Sequence, residues 1–280
     1  MRRVDNIQRL RQDVPFHVRG AGGSAPAPAP TFFETMDTHT WELAWRFNEA
    51  DFPILNYGDD GALGDLTEFV TPAAGSPTFE AAALIDDEPT VNWINPDNPG
   101  VTTFDAGQTW STPATIESNG LTVVWFGLAR SGGEGTGGRI FHAYNAGTEI
   151  GMLTFKSDGD VEGKIVLATT TATIHTTSTP LAADYVADTP IMIVMNYDHA
   201  TKLISLYRGQ GGVVSDITEG AGAGAGNLHA NWGLSPQIYI GNAAGAGARS
   251  ADAQFAWTSW GNTFQSDATQ RLAWLEASGF

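Results

Sequence analysis

The sequence contains no cysteine, so it has neither a disulfide framework nor a thiolate. Charge is sparse: Asp, Glu, Lys and Arg make up 16% of 280 residues, and Lys plus Arg (14) are outnumbered by Asp plus Glu (31). Long apolar runs are missing, and none approaches the roughly 20 residues a transmembrane helix needs. Arg2-Arg3 is followed by no apolar stretch of the kind a secretory signal carries. The chain also lacks H-E-x-x-H, G-x-S-x-G and P-loop strings. These absences exclude thiol chemistry and argue against membrane insertion and the commonest hydrolase and nucleotide-binding classes.

What is present suits an all-β protein. The chain has 33 Gly, 9 Trp and 14 Phe, and 42% of it is hydrophobic. That composition fits many short strands joined by tight turns around a sizeable core. The length allows one large domain or two small ones.

Charge divides the chain. Residues 1–20 carry five Arg against two Asp, a balance of +3, and the remaining nine bases and 29 acids give the rest −20. The body should repel nucleic acid and anionic membrane. Asp5 as a cap, Gln8 three residues later and Pro15 as a stop predict a short helix over 5–14, with Val4, Ile7, Leu10 and Val14 on one face. Such a helix is marginal alone in water, so Arg2, Arg3, Ile7, Arg9, Leu10, Arg11 and Val14 read as a docking surface for a partner. Gly20 to Pro30, GAGGSAPAPAP, reads as a flexible then extended spacer. The expected organisation is a docking arm over 1–20, a linker over 21–35 and one β-sandwich domain over 36–280.

Within the body, Ile191 to Gly209 reads as a strand, a turn at Asp198-His199-Ala200-Thr201, and a return strand. The first strand is apolar on both faces. Leu121 to Leu128 reads as a buried strand, and Arg139–Tyr144, Ile150–Phe155 and Lys164–Ala168 as further strands. Trp41 to Phe47 alternates like a half-buried strand, Tyr57-Gly58-Asp59-Asp60-Gly61 carries turn signals, and Ala221 to Gly226 reads as a loop.

Tyr197-Asp198, then Leu206-Tyr207-Arg208-Gly209, then Ile238-Tyr239-Ile240-Gly241-Asn242 resemble the motif order of laminin-G/concanavalin-A-like domains. Phe255 to Trp260 resembles that family's closing strand, and Ser266 to Glu276 its short C-terminal helix. The resemblance spans about 36–280 and implies a jelly-roll β-sandwich. Domains of this kind often bind Ca2+ on a loop rim; Asp59, Asp60, Asp86 and Asp87 are candidates by residue type alone.

The fold also hosts glycoside hydrolases, yet the E-x-D-x-x-E string that aligns two carboxylates on one strand is absent. Glu149 has Gly151 where an acidic partner would stand. Gly133 to Gly138 matches G-x-G-x-x-G but leads into a strand, not a helix, and Asp158 to Gly163 starts like an EF-hand without its closing carboxylate. No catalytic residue is therefore assigned. Trp93, Trp110 and Trp232, in polar contexts, are candidate sugar-stacking platforms.

The resulting expectation is a non-enzymatic protein of a phage virion, a fibre, spike or decoration, tethering a lectin-like domain through its arm. It would assemble in the host cytoplasm with other virion proteins, as a homo-oligomer and most simply a trimer. Its alternative is a carbohydrate-binding module for a cell-surface glycan, and its third a glycoside hydrolase.

Overall fold

The computed structural model describes residues 30–59, 61–69, 78–93, 101–104, 113–133, 137–145, 147–156, 160–168, 171–175, 188–210, 213–233, 237–241 and 251–279. The segment read as a docking arm and residues 21–29 of the expected linker lie outside these residues.

The expected hairpin forms at the centre of one sheet. Strand β11 (Thr189–Asp198) pairs antiparallel with β12 (Leu203–Gln210) on one side and with β6 (Leu121–Ala129) on the other. The turn is set by side-chain chemistry. Asp198 accepts from the Ala200 N–H (2.9 Å) and the Thr201 hydroxyl (2.7 Å), and Lys202 takes a left-handed φ of 59°. The sheet continues outward in the order β13 (Val213–Ala223), β12, β11, β6, β15 (Ala253–Gly261), β4 (Thr90–Trp93) and β3 (Thr78–Ala81), with β1 (Leu43–Trp45) also paired to β15. The opposing seven-stranded sheet runs β10 (Thr171–His175), β9 (Val161–Val166), β8 (Thr148–Phe155), β7 (Arg139–Asn145), β14 (Gln237–Ile240), β5 (Val101–Phe104) and β2 (Leu66–Phe69). All pairings are antiparallel, and the two sheets form a β-sandwich of the jelly-roll, lectin-like kind.

The two-faced apolar pattern of β11 follows from what lies on each side of it. Ile191, Ile193 and Met195 enter the core between the sheets, with Trp125, Phe155, Phe255 and Trp260. There Trp125 meets Phe155 across the sandwich at 5.2 Å, and Phe141 stacks on Trp260 at 5.0 Å. Met192 and Val194 point the other way, into a second core with Phe126, Trp257 and Tyr207. That core is closed by helix α1 (Phe32–Asp37) and helix α2 (Ala268–Ala277), through Phe32, Phe33, Met36, Trp274 and Leu275. Each fully buried side chain of this size contributes about 2–3 kcal/mol.

Three expectations need correction. Helix α1 lies inside the segment read as linker, so the folded body begins at Thr31 and not at residue 36. A Thr31–Glu34 capping box starts the helix, with each side chain accepting from the other residue's backbone N–H. The strand read over Trp41 to Phe47 shrinks to β1, because Phe47 adopts φ 55° and ends the extended run. Its Ala44 is buried beneath the helices instead of facing water. Strand β13 reaches Ala223, so half of the AGAGAG segment pairs with Leu203 to Ser205 of β12.

Candidate ligand-binding groove

A groove of 320 Å³ opens where the end of α1, strand β1 and the segment after Leu55 meet. Its base is apolar and fixed. Trp41 is buried, with its indole N–H donating to the Met36 carbonyl at 2.9 Å, and Trp257 and Ala44 lie beside it. The imidazole of His39 meets Trp41 edge-on at 4.4 Å and Trp274 at 5.1 Å. Burial pushes His39 below its ordinary pKa, which keeps the ring neutral at physiological pH.

The opposite wall is the run Asn56 to Asp59, which lies along β1. Asn56 clamps it there: its carbonyl oxygen accepts from the N–H groups of Ala44 (2.7 Å) and Gly58 (3.0 Å), and its amide donates to Gly61 at 3.0 Å. The Tyr57 N–H donates to the Ala44 carbonyl and that of Asp59 to the Trp41 carbonyl, both at 2.7 Å. This approach requires glycine at 58, where a Cβ would stand 2.5 Å from the Glu42 carbonyl oxygen. The turn read from Tyr57-Gly58-Asp59-Asp60-Gly61 closes with the Gly61 N–H on the Gly58 carbonyl at 3.0 Å.

Two aspartates and one arginine line the rim. Arg46 is ion-paired to Asp37, and its guanidinium lies 4.6 Å from the Tyr57 ring centroid and 5.2 Å from that of Phe33. Tyr57 is the most exposed large hydrophobic side chain among the described residues, at 47%. Its phenol is pushed up by partial burial and then by Glu49, with Arg46 opposing and Glu88 and Asp37 adding smaller upward pushes. Asp59 is exposed, and its carboxylate has no ion-pair or hydrogen-bond partner among the described residues. The groove thus offers an aromatic edge, a free carboxylate, a paired carboxylate–guanidinium and the hydroxyl-bearing residues Thr38 and Thr40.

Of the described residues singled out from sequence, Asp59 alone lines this groove. Trp232 does not qualify as a sugar platform. It is fully buried, packs on Trp260 at 5.8 Å and donates its indole N–H to the Val166 carbonyl at 3.3 Å. Its polar sequence context reflects a short 3-10 turn, Ala230–Gly233, that drops the ring into the core. Trp93 ends β4, and Trp110 lies outside the described residues. Asp86 accepts from the Phe33 N–H at 3.3 Å at the start of α1, Asp87 is exposed beside it, and Asp60 is outside the described residues. No group of three or more His, Asp or Glu able to hold a metal occurs among the described residues. The docking residues Arg2, Arg3, Ile7, Arg9, Leu10, Arg11 and Val14 lie outside them as well. Sequence reading missed Tyr57 as a site residue and treated it only as part of a turn.

Glu149 proves to be structural in its surroundings. It lies on the face of the seven-stranded sheet turned away from the core, within 3.1 Å of Arg139 Nη2, 3.1 Å of His142 Nε2 and 2.6 Å of Lys164 Nζ. Burial alone would raise its pKa, but the hydrogen bonds from His142 and Lys164 and the charges of Arg139 and Lys164 prevail and hold the carboxyl at about 2.

No family model and no curated protein sequence matches the chain. Solved structures do resemble it. The binding domain of botulinum neurotoxin serotype D superposes with a TM-score of 0.51 at 7% identity, covering 84% of this chain and 51% of that one, so the chain spans about half of that domain. A Trypanosoma rangeli sialidase in complex with 2,3-difluorosialic acid gives 0.47 at 12%, covering 84% of this chain and 32% of the sialidase. The carbohydrate-binding module (CBM40) of a Ruminococcus gnavus IT-sialidase, bound to alpha2,3 sialyllactose, gives 0.43 at 12%, covering 60% and 86%. At these identities the likeness concerns the fold. The chain is a two-sheet β-sandwich with one sheet capped by helices.

Proposed function

We propose that the chain is a non-enzymatic glycan-binding protein, with the groove between α1 and the Asn56–Asp59 run as its sugar site. The observation that carries this reading is Tyr57, an exposed ring on a rigid clamp of hydrogen bonds, beside carboxylates and hydroxyls over an apolar base. Sugars present apolar C–H faces and a fringe of hydroxyls, and aromatic rings with nearby carboxylates match both. Hydrolysis needs two carboxylates in separate roles, whereas here Asp37 is committed to Arg46.

The same reading places the sandwich at the outer end of a tethered protein. Support comes from sequence: a basic, apolar-striped segment over 1–20 and an Ala-Pro spacer before Thr31. A fibre, spike or decoration protein of a virion, displayed as a homo-oligomer, has this layout, with other virion proteins bound through the arm and a host surface glycan through the groove.

The test is a glycan array followed by calorimetry, run with and without Ca2+. Wild type should bind a defined glycan set, and Tyr57→Ala should weaken that binding at least about fivefold, as expected when about 1–3 kcal/mol of stacking is lost, with an unchanged melting temperature. Binding that survives Tyr57→Ala would place the sugar elsewhere. Dependence on Ca2+ would bring the loop aspartates back as ligands.

A further inference from the structure

The charges at the groove are unequal in a way that restricts its ligand. Among the described residues, Arg46 is the sole cation lining it, and Asp37 already holds that cation. Asp59 is the remaining charge, exposed and without a partner among the described residues. Behind it stands Glu42, a half-buried carboxyl that accepts from the Asn262 N–H at 2.7 Å. Burial raises the Glu42 pKa first, and Asp59 adds to the rise, so the two carboxylates already repel. At the Tyr57 ring, Glu49, Glu88 and Asp37 outnumber Arg46. Among the described residues, no cation lining the groove is left free to receive a ligand carboxylate, and the chain beyond residue 20 carries −20.

Building on the glycan reading of this groove, we infer that it takes sugars without negative charge, neutral or amino sugars, and rejects sialylated and uronic ones. A neutral sugar gives Asp59 a pair of hydroxyl donors. An amino sugar gives it an ammonium, at a position where no cation of the described residues competes. An acidic sugar would set a carboxylate against Asp59 and, among the described residues, could gain a cationic partner only by breaking the Asp37–Arg46 pair, which would leave Asp37 uncompensated beneath it.

The experiment is an array that presents each glycan core in neutral, amino-bearing and sialylated or uronate forms, read for wild type, Tyr57→Ala and Asp59→Asn at low and near-physiological salt. Acidic forms should bind about two- to fivefold more weakly than the neutral form of the same core, the scale of one exposed charge contact. Amino forms should bind as well or better, and the contrast should shrink as salt rises. Asp59→Asn should narrow the acidic-to-neutral ratio and lower amino-sugar binding. Tyr57-dependent binding that favours the acidic form, or a ratio that Asp59→Asn leaves unmoved, overturns the inference while the glycan reading stands. An array on which wild type binds no form of any core removes the glycan reading and the inference with it.

Discussion

Glu149 shows how one residue can look like a failed catalytic site and serve the fold. From sequence it is an acid on a strand without an acidic neighbour. In the sandwich it ties three strands together, with Arg139 and His142 from β7 and Lys164 from β9 converging on its two oxygens. Its folded pKa of about 2 lies below the ordinary value of 4.5. A depressed carboxyl contributes stability that is complete above the unfolded value and is lost as pH falls through the folded one. Glu149→Gln should therefore cost about 1.5–3 kcal/mol at pH 7, the range for hydrogen bonds to a charged group. The gap from wild type in urea unfolding should close as pH falls from about 4.5 to about 2. A gap that stays constant over that range would show that shape, not charge, is what the variant lost.

At the scale of elements, α1 does two jobs. It covers the outer face of the eight-stranded sheet with Phe32, Phe33 and Met36, and its C-terminal end supplies Asp37 and Thr38 to the groove. Removing residues 1–29 should leave the melting temperature and glycan binding unchanged. Removing 1–37 should destabilise the sandwich sharply and abolish binding. The single change Phe32→Ala should cost about 3–5 kcal/mol, a melting shift on the order of 10 °C, measured by calorimetry. Equal stability of the two truncated chains would make α1 a surface ornament. The helix was legible in principle, since Thr31-x-x-Glu34 before two Phe residues is a capping-box signature, but the adjacent Ala-Pro repeat dominated the reading of that segment.

For the whole molecule, the contrast of a +3 arm with a −20 body is the feature that bears on display. On the virion reading, the chain lacking residues 1–29 keeps its glycan affinity but no longer sediments with purified particles. Replacing Arg2, Arg3, Arg9 and Arg11 with Ser should leave an association that salt disrupts less than it disrupts the wild type's, because screening acts on the charges those residues supply. Incorporation that is indifferent to both changes would detach the arm from assembly.

The sequence by itself determined the sandwich, its central hairpin and several of its strand positions. Alternation, turn residues and apolar runs are local, and Asp198 to Lys202 or Leu121 to Ala129 carry their own instructions within a few residues. It also showed that β11 must be covered on both sides, without saying by what. Tertiary structure alone decided that helices 236 residues apart in the chain, at Phe32 and Ala268, provide one of those covers. It alone buried Trp232 and left Tyr57 exposed, although both stand in polar, glycine-marked stretches. Exposure is a sum over neighbours from distant segments, and no local pattern encodes that sum. The groove is of the same kind: Asp37, Arg46 and Asp59 come together only because the Asn56 clamp lays one loop against β1.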